Sequence, residues 1–411
     1  MAQAMAATRV RACILTQDDR KCERCFEQDG MVYDLTAVGI QIVESTCSVG
    51  HSEILNYLRK AEDILGIDFD CEPDSEVTLS PIPAPTKVQD LSNCTGGNPI
   101  LGTNDPISSC QRNLEVIRMG AAWRAARSAK PELKNIVLAI IDSGVDMTHP
   151  DLIHQFWRNP ADGSIGYNYV NNNTNVTDGY SHGTHCAGIA AAQTNNSIGI
   201  AGVANVNGSI PNVKLMILKI FNSFGIGLTS SALMALNYSI AHGAAVSSHS
   251  YGWHHYYKIV ETAFKNAAAA GQVTIVAAGN EGLTLDKEPY YPCSLAKNIS
   301  SMICVAASTS IPDSNVSIPS WSNLGSVTKI AAPGVDINST IPVGSYGTKS
   351  GTSMSTPTVA GIAALLGTLG LTGQNITDII MKSRTSSIPN RLNLSGIGEV
   401  DALKAVHIAL A

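Results

Sequence analysis

The sequence has few charged residues and few phenylalanines. Only 15% of its 411 residues are charged, six are phenylalanine, and the formal net charge of −6 comes without any long basic run. Proteins that bind nucleic acid usually present clustered basic side chains, so this composition argues against nucleic acid as a partner. No apolar run is long enough to cross a bilayer, and we therefore expect no membrane span.

The N-terminus also lacks the apolar core of a signal peptide, yet two other features favour a secretory route. The sequence has ten cysteines, an even number, and eleven Asn-X-Ser/Thr sequons. The sequons begin at Asn93, Asn172, Asn175, Asn195, Asn207, Asn237, Asn298, Asn315, Asn338, Asn375 and Asn393. We therefore expect a disulfide-bonded glycoprotein that is secreted or resides in a secretory compartment.

Residues 1–79 have the pattern of a small α+β unit. Strand-like runs occur at 9–15, 31–35, 39–43 and 67–79. Ser52 caps an amphipathic helix that ends at Gly66. Five cysteines lie in this unit, at Cys13, Cys22, Cys25, Cys47 and Cys71. A zinc site would require a second Cys-X-X-Cys or a histidine pair at ligand spacing, so disulfides or free thiols are the better interpretation.

A proline- and glycine-rich segment, residues 80–104, separates this unit from the rest of the chain. It begins Ser-Pro-Ile-Pro-Ala-Pro and continues through Gly96, Gly97 and Pro99. Segments of this composition are exposed and accessible to proteases, so we place a domain boundary there.

Residues 105–411 have the pattern of an α/β domain. Residues 135–141 are a continuous apolar run that ends at Asp142, as expected of a buried parallel strand. Further strand-like runs occur at 213–218, 272–278 and 302–307, and Ala-rich, helix-like segments at 182–193, 230–242, 257–270 and 355–369. This alternation predicts a doubly wound, mostly parallel sheet with helices on both faces, whose active site lies at the carboxyl ends of the strands.

Four polar residues occupy positions where chemistry is expected. Asp142 follows a buried strand in Asp-Ser-Gly, and His182 opens a helix in Ser-His-Gly-Thr-His. Asn280 follows a strand in Ala-Ala-Gly-Asn, where a neutral side-chain amide can donate to an oxyanion. Ser353 lies in Ser-Gly-Thr-Ser-Met-Ser-Thr-Pro, near the first turn of a helix whose unpaired N–H groups favour developing negative charge.

Two of these motifs have a second interpretation. The stretch around Ser353 is also typical of a helix N-cap, and His182 with His185 could be metal ligands. A zinc- or thiol-dependent hydrolase that uses these histidines and Cys186 is therefore an alternative. No Glu or Asp at helical spacing completes a zinc site, and this hypothesis leaves Asn280 and Ser353 without a role.

In this chain order Asp142, His182, Asn280 and Ser353 resemble the subtilisin-like serine proteases, over residues 105–411. The resemblance implies a serine endopeptidase that works through an acyl-enzyme, with Ser353 as nucleophile and His182 as its base and acid. It also implies that Asp142 holds the imidazole and that Asn280 and the Ser353 N–H form the oxyanion hole. A non-catalytic binding protein on the same fold is the alternative, although none of the four residues is lost.

The resemblance also implies a substrate cleft built from three short segments. The implied pocket walls are Ser250, Tyr251, Gly252 and Ala277, Ala278, Gly279, and the implied edge strand includes Gly225 and Gly227. Substrate adds to such an edge as an extra strand, a mode that favours extended or unfolded proteins. Tyr251 replaces a smaller aliphatic residue, and we expect Tyr290 near the pocket floor. Both tyrosines argue against the family's broad preference for large apolar residues.

A structural Ca²⁺ is implied as well. Residues 194–200 resemble the family's calcium loop, which supplies the hard oxygen ligands that Ca²⁺ requires. The implied ligands are the Asp151 carboxylate, the Asn196 side chain and the backbone carbonyls of Thr194, Ile198 and Ile200. An ordinary Asn-rich turn is the alternative.

The N-terminal unit resembles the inhibitory prodomain of subtilases. The resemblance implies a self-processing zymogen in which residues 1–79 cap the cleft and residues 80–104 contain the processing site. We expect a monomeric mature enzyme whose partners are protein or peptide substrates and its own prodomain.

Five cysteines follow residue 79. Cys293 and Cys304 flank a segment that enters a strand and are candidates for one disulfide, and Cys94 with Cys110 for another. Cys186 lies four residues after His182, and we expect it to be buried and inert.

Overall fold

The computed structural model describes residues 12–17, 31–45, 70–81, 83, 91–128, 132–205, 212–309 and 316–411. The predicted helix that starts at Ser52 lies outside these residues, as do Cys22, Cys25 and Cys47. The first described element is a sheet of β1 (Ala12–Gln17), β2 (Met31–Leu35), β3 (Ile40–Ser45) and β4 (Asp70–Pro73), in the order β2-β3-β1-β4. In this sheet β3 is antiparallel to β2, and β1 is parallel to both β3 and β4.

A short strand, β5 (Glu76–Thr78), follows β4 and leaves this sheet. The predicted strand 67–79 is therefore interrupted. Between β4 and β5 the Asp74 carboxylate accepts from the Ser75 N–H at 3.0 Å and from the Ser230 N–H and hydroxyl at 2.9 and 2.5 Å. These bonds turn the chain away from β4 and towards the larger domain.

The larger domain is built on an eight-stranded sheet in which all neighbours are parallel. The strands after β5 are β6 (Ile136–Asp142), β7 (Gly166–Asn168), β8 (Val213–Lys219), β9 (Ile226–Leu228), β10 (Val246–His249), β11 (Val273–Ala277), β12 (Met302–Ser308), β13 (Ile330–Pro333), β14 (Ile337–Ile341), β15 (Ser345–Lys349) and β16 (Gly398–Glu399). The order in the large sheet is β16-β13-β12-β11-β10-β6-β8-β7, while β9 pairs with β5 and β14 with β15. The order reverses at β6, so a crevice is expected at its carboxyl end.

Helices cover both faces of the large sheet. Those described are α1 (Arg112–Val116), α2 (Met119–Ser128), α3 (His182–Ala191), α4 (Thr229–Ala241), α5 (Lys258–Ala269), α6 (Thr352–Thr368), α7 (Gly373–Ser383) and α8 (Ala402–Leu410). Side chains of β6 alternate between two cores: Leu138 and Ile140 pack with α3 and α6, and Ala139 and Ile141 with α4 and α5. The predicted doubly wound α/β fold is confirmed.

Two disulfides join the predicted cysteine pairs. Cys94 is bonded to Cys110 and Cys293 to Cys304, with Cα–Cα distances of 5.6 and 4.9 Å. Cys186 is free and buried, as expected. In the described part of the chain, no helix combines the length and the apolarity needed to span a membrane.

Candidate active site

Asp142 and His182 form a hydrogen-bonded pair at the carboxyl end of β6. Asp142 ends β6, His182 begins α3, and the two carboxylate oxygens lie 2.8 and 3.0 Å from His182 Nδ1. Burial alone would lower the pKa of His182, but the Asp142 carboxylate, with a smaller contribution from Cys186, raises that pKa well above its usual range. The carboxylate keeps the proton on Nδ1, which leaves Nε2 as the basic nitrogen.

A second carboxylate, Asp178, holds the loop that carries His182. It accepts from the Ser143 hydroxyl at 2.9 Å and from the N–H and hydroxyl of Thr184 at 2.9 and 2.6 Å. The Ser143 N–H donates in turn to Asp142 at 2.7 Å. Asp178 thereby links the strand end to the helix start. Sequence reasoning missed Asp178, because it lies ahead of the N-cap position, which Ser181 occupies, and no capping pattern marks it.

Ser353 lies in the first turn of α6, beside this pair. Gly351 precedes the helix with φ +151°, and an added Cβ there would lie 3.3 Å from Asn280 Nδ2, so both conformation and space favour glycine. Cys186 Sγ lies 3.8 Å from His182 Nδ1 and 3.5 Å from the Ser353 carbonyl oxygen. The imidazole and the serine are therefore neighbours.

Pro357 frees the Ser353 carbonyl from the helix, because proline has no N–H to donate to the residue four positions earlier. The Ser353 carbonyl oxygen accepts instead from the Ser250 hydroxyl at 3.1 Å and from Cys186. The Ser353 hydroxyl donates to the Ser250 carbonyl oxygen at 3.2 Å. His182 Nε2 is buried and has no hydrogen-bond partner among the described residues. Ser353 is thus anchored to the first predicted pocket wall.

Asn280 turns its amide nitrogen into the cleft. Its Oδ1 accepts from the N–H and the hydroxyl of Thr352, each at 2.9 Å, and the Thr352 hydroxyl accepts from the Gly279 N–H at 3.1 Å. With the oxygen engaged, Nδ2 faces the cleft and donates to the Pro81 carbonyl oxygen at 3.0 Å. Thr352 therefore orients the amide, a role that sequence reasoning missed.

Residues 76–81 lie in the cleft as an extended segment. Strand β5 pairs antiparallel with β9, and the Leu79 N–H donates to the Gly225 carbonyl oxygen at 3.1 Å. On its other side Thr78 forms an antiparallel bridge with Gly252 of the first wall. The chain's own N-terminal segment thus occupies the place that the resemblance gives to substrate.

The remaining predicted cleft residues lie in β9, at the end of β11 and next to Ser250. Gly227 lies opposite Val77 in the pairing of β5 with β9. Ala277, Ala278 and Gly279 follow one another at the end of β11 and lead into Asn280. Tyr251 of the first wall turns its side chain into the core, where its hydroxyl lies 2.8 Å from His249 Nδ1. Tyr251 therefore contributes backbone, not side chain, to the cleft.

Two of the predicted calcium ligands, Asp151 and Asn196, are hydrogen-bonded to each other at the loop 194–200. Asp151 is fully buried and accepts from the Ile200 N–H at 2.9 Å and from the Asn196 side-chain amide at 2.8 Å. A second buried carboxylate, Asp105, accepts from two backbone N–H groups of this loop at 2.8 and 2.9 Å, and sequence reasoning missed it. Burial raises the pKa of Asp151 to about 7, with a further contribution from Asp105, and it also raises the pKa of Asp105. The same loop contains Thr194 and Ile198.

His185 does not join the alternative zinc or thiol site. His185 Nε2 lies 3.1 and 3.2 Å from two backbone carbonyl oxygens, so this nitrogen is not aimed at His182. Within the described ranges, Asp142, His182 and Cys186 form a cluster of possible ligand atoms, but His182 Nδ1 is already bonded to Asp142. Burial raises the pKa of the Cys186 thiol, which disfavours a reactive thiolate.

The site thus combines a serine at a helix N-terminus, an imidazole bonded to a buried carboxylate, a fixed amide donor and an extended chain bound as a strand. These are the parts with which a serine hydrolase attacks a peptide carbonyl. The fold and the site therefore define a serine peptidase of the α/β class.

Comparison with known proteins identifies the family. Residues 133–398 match the subtilase family, Peptidase_S8. The chain is 36% identical over 307 residues to thermitase from Thermoactinomyces vulgaris, covering 74% of this chain and 99% of thermitase. It is 39% identical over 234 residues to subtilisin NAT from Bacillus subtilis subsp. natto, covering 56% and 55%. Fervidolysin from Fervidobacterium pennivorans, a keratinolytic enzyme related to subtilisin, aligns with a TM-score of 0.65 and 25% identity over 81% of this chain and 51% of that chain.

The chain belongs to the subtilase family, and it is a subtilisin-like serine endopeptidase. The family interpretation agrees with the serine, histidine and aspartate described above and not with a zinc- or thiol-dependent hydrolase.

Proposed function

We propose that this endopeptidase hydrolyses extended or unfolded proteins through an acyl-enzyme and is made as a zymogen inhibited by its own N-terminal unit. The observation that carries the proposal is the segment 76–81 in the cleft, where Thr78 pairs with Gly252 and Leu79 with Gly225. A chain held in this way is recognised through its backbone, and only an extended chain offers its N–H and C=O groups for such pairing.

In this proposal Ser353 is the nucleophile, His182 the base and Asp142 the group that orients the imidazole. Rotation of the Ser353 hydroxyl away from Ser250 and towards His182 Nε2 would give that nitrogen its partner. As Oγ bonds to the carbonyl carbon, Nε2 takes the hydroxyl proton and returns it to the leaving amine when the C–N bond breaks. Asn280 Nδ2 and the Ser353 N–H stabilise the oxyanion, and water then hydrolyses the acyl-enzyme by the same steps.

The N-terminal unit is the inhibitor in this proposal. Strand β5 takes the substrate's place, and the Glu72 carboxylate accepts from the first two N–H groups of α5, each at 3.0 Å, which is a favourable position for an acidic group. Self-processing within residues 80–104 would release the cleft and create the mature N-terminus. We further propose that the enzyme is secreted, because disulfides persist in oxidising compartments. We also propose that the mature enzyme is a monomer.

Replacing Asn280 with alanine should lower kcat about 10²–10³-fold and change KM little, the magnitude measured when the oxyanion-hole asparagine of subtilisin, a relative of this chain, is removed. The amide serves charge that develops in the transition state, so its loss raises the barrier more than it weakens substrate binding. Steady-state kinetics of the processed enzyme on a peptide anilide measure both constants, with exposed Asn375→Ala as the matched control. An increase in KM as large as the loss in kcat would contradict the oxyanion role.

We also propose that a structural Ca²⁺ binds beside residues 194–200. Two buried carboxylates, Asp105 and Asp151, face the same loop, and a divalent cation would offset their unfavourable charge. The ligands would be Asp105, Asp151, the Asn196 side-chain oxygen and the backbone carbonyls of Thr194, Ile198 and Ile200. Bound there, the ion would hold residue 105, near the proposed mature N-terminus, against the loop that follows α3.

Replacing Asp151 with asparagine should remove most of the stabilisation that calcium gives. Asparagine keeps the size and one oxygen of the side chain but removes the charge that attracts the ion. Calcium at about 100 times its dissociation constant should stabilise the wild-type fold by about 2.7 kcal/mol, seen as a Tm several degrees higher than in chelator. Thermal unfolding is measured on Ser353→Ala protein, with and without Asp151→Asn, because a protease without its nucleophile cannot digest itself. Exposed Asp378→Asn is the control, and an equal calcium response in all proteins would contradict the site.

A further inference from the structure

Tyr290 stands between the two walls of the cleft. An added Cβ at Gly252 would lie 2.3 Å from Tyr290 Cε1, and an added Cβ at Gly279 would lie 3.0 Å from the same atom. The Tyr290 side chain is only 2% exposed. The protein's own phenol ring therefore fills the space through which a large substrate side chain would pass between Gly252 and Gly279.

The ring is held in place by its backbone. The Tyr290 N–H donates to the Ser294 hydroxyl at 3.1 Å, and the Tyr290 carbonyl oxygen accepts from the Ser294 N–H at 2.8 Å. The next residue, Tyr291, exchanges two backbone hydrogen bonds with Trp253, at 2.7 and 2.8 Å. Trp253 follows Gly252, so the segment that carries Tyr290 is fastened directly to the first wall. Withdrawal of the ring would break these bonds.

The segment in the cleft places a small side chain against this ring. Ser80 is 3% exposed, and its Oγ lies 2.5 Å from Tyr290 Oη. A buried phenol hydroxyl needs a hydrogen-bond partner, and Ser80 supplies one. Before Ser80, Thr78 pairs with Gly252 and Leu79 with Gly225, and after it the Pro81 carbonyl, one residue beyond the carbonyl that would be attacked, bonds to the Asn280 amide. Ser80 is thus the residue of the cleft segment whose side chain contacts Tyr290.

We propose that Tyr290 closes the primary specificity pocket to large side chains, so that the enzyme cleaves after small residues and favours serine, whose hydroxyl bonds to the phenol. The inference rests on the proposed function, because it names the substrate class of that cleft. It extends the expectation, drawn from the two tyrosines in the sequence, that the family's broad preference for large apolar residues does not hold in this chain. Of the two tyrosines that the sequence singled out, Tyr251 faces the core and Tyr290 determines the size of the pocket.

The test uses the processed enzyme in calcium and three peptide anilides, Glu-Val-Thr-Leu-Xaa-4-nitroanilide, with Xaa as serine, alanine or phenylalanine. The first four residues repeat residues 76–79, so the rest of the cleft is filled alike in each. Wild type should cleave the serine and alanine peptides at least about 100-fold more efficiently, by kcat/KM, than the phenylalanine peptide. Tyr290→Gly should raise kcat/KM for the phenylalanine peptide at least about 100-fold.

Tyr290→Phe keeps the ring and removes only its hydroxyl. It should still reject the phenylalanine peptide, while the preference for serine over alanine falls about 2–10-fold. Tyr256→Phe is the matched control, because Tyr256 is 49% exposed and bonds to Glu261 outside the cleft. This variant should keep all three wild-type ratios.

Two outcomes would overturn the inference: wild type cleaving the phenylalanine peptide as well as the alanine peptide, or Tyr290→Gly with the wild-type preference. If Tyr290→Gly does not fold, the inference is tested by the kcat/KM ratios of wild type and of Tyr290→Phe on the three peptides. Failure to cleave any peptide, together with no labelling of Ser353 by a sulfonyl fluoride, would overturn the proposed function and this inference with it.

Discussion

Ser353→Ala should abolish peptide hydrolysis and leave the precursor at full length. The Ser353 hydroxyl is the atom proposed to bond to the substrate carbonyl, and alanine offers nothing in its place. Removal of the corresponding serine from subtilisin, a relative, costs about 10⁶-fold in kcat, and we expect a loss of the same order in this chain. The variant should still fold, because among the described residues the Ser353 hydroxyl makes one hydrogen bond, to the Ser250 carbonyl oxygen.

Mass spectrometry of wild type and Ser353→Ala, expressed side by side, measures chain length and N-terminus together. Wild type should begin between Ser80 and Asn104, and the variant should keep its original N-terminus. Ser355→Ala is the matched control: it lies two residues further along α6, and its hydroxyl bonds to the Ala332 carbonyl at 2.9 Å, outside the cleft. It should be processed like wild type.

Processing of Ser353→Ala by the protein itself would contradict the nucleophile assignment. If wild type and variant both stay folded and full-length, self-processing is wrong. A sulfonyl fluoride that labels Ser353 after the linker is cut by an added protease would then show an enzyme activated by another protease. Absence of that label would instead favour the non-catalytic binding protein.

Much of the fold follows from the sequence because a parallel strand buried on both faces must be apolar throughout. The run 135–141 matches β6, Ile136–Asp142, and places a carboxylate where the strand order reverses. Other elements were missed although their signal was present. Helix α7 carries Ile376, Ile379 and Ile380 at helical spacing, but it was not predicted.

The residues that sequence reasoning missed at the candidate site act through contacts distant in the chain. Asp105 accepts from the N–H of a residue 90 positions away, and Thr352 donates to Asn280 across 72. The hydrophobic periodicity of the sequence marks neither residue, because Asp105 lies in a loop and Thr352 at the start of a helix. For Tyr290 the sequence predicted only a position near the pocket floor, and not its effect on the size of the pocket. Its effect depends on the close approach of Gly252 and Gly279, which only the folded chain brings about.

Asp142→Asn should reduce kcat about 10⁴-fold, the loss known for the equivalent change in a serine protease of unrelated fold. The Asp142 carboxylate accepts hydrogen bonds from His182 Nδ1 and from the Ser143 N–H. In Asp142→Asn the amide N–H groups must face either the Ser143 N–H, which is itself a donor, or the imidazole of His182. The second arrangement makes Nδ1 the acceptor and leaves the ring proton on Nε2. A protonated Nε2 cannot take the proton of Ser353.

The pH dependence of the residual activity identifies the cause. The base must be neutral, so kcat rises with pH through the pKa of His182, which the Asp142 carboxylate holds above its usual range. Without that carboxylate, burial is the largest remaining influence and lowers the pKa of His182, so the acid limb of the kcat profile should move to lower pH in Asp142→Asn. Asp146→Asn is the control on the same loop, since its carboxylate bonds to Thr148 and the Gly344 N–H. An unchanged acid limb in Asp142→Asn, or activity within tenfold of wild type, would show that another group orients the imidazole.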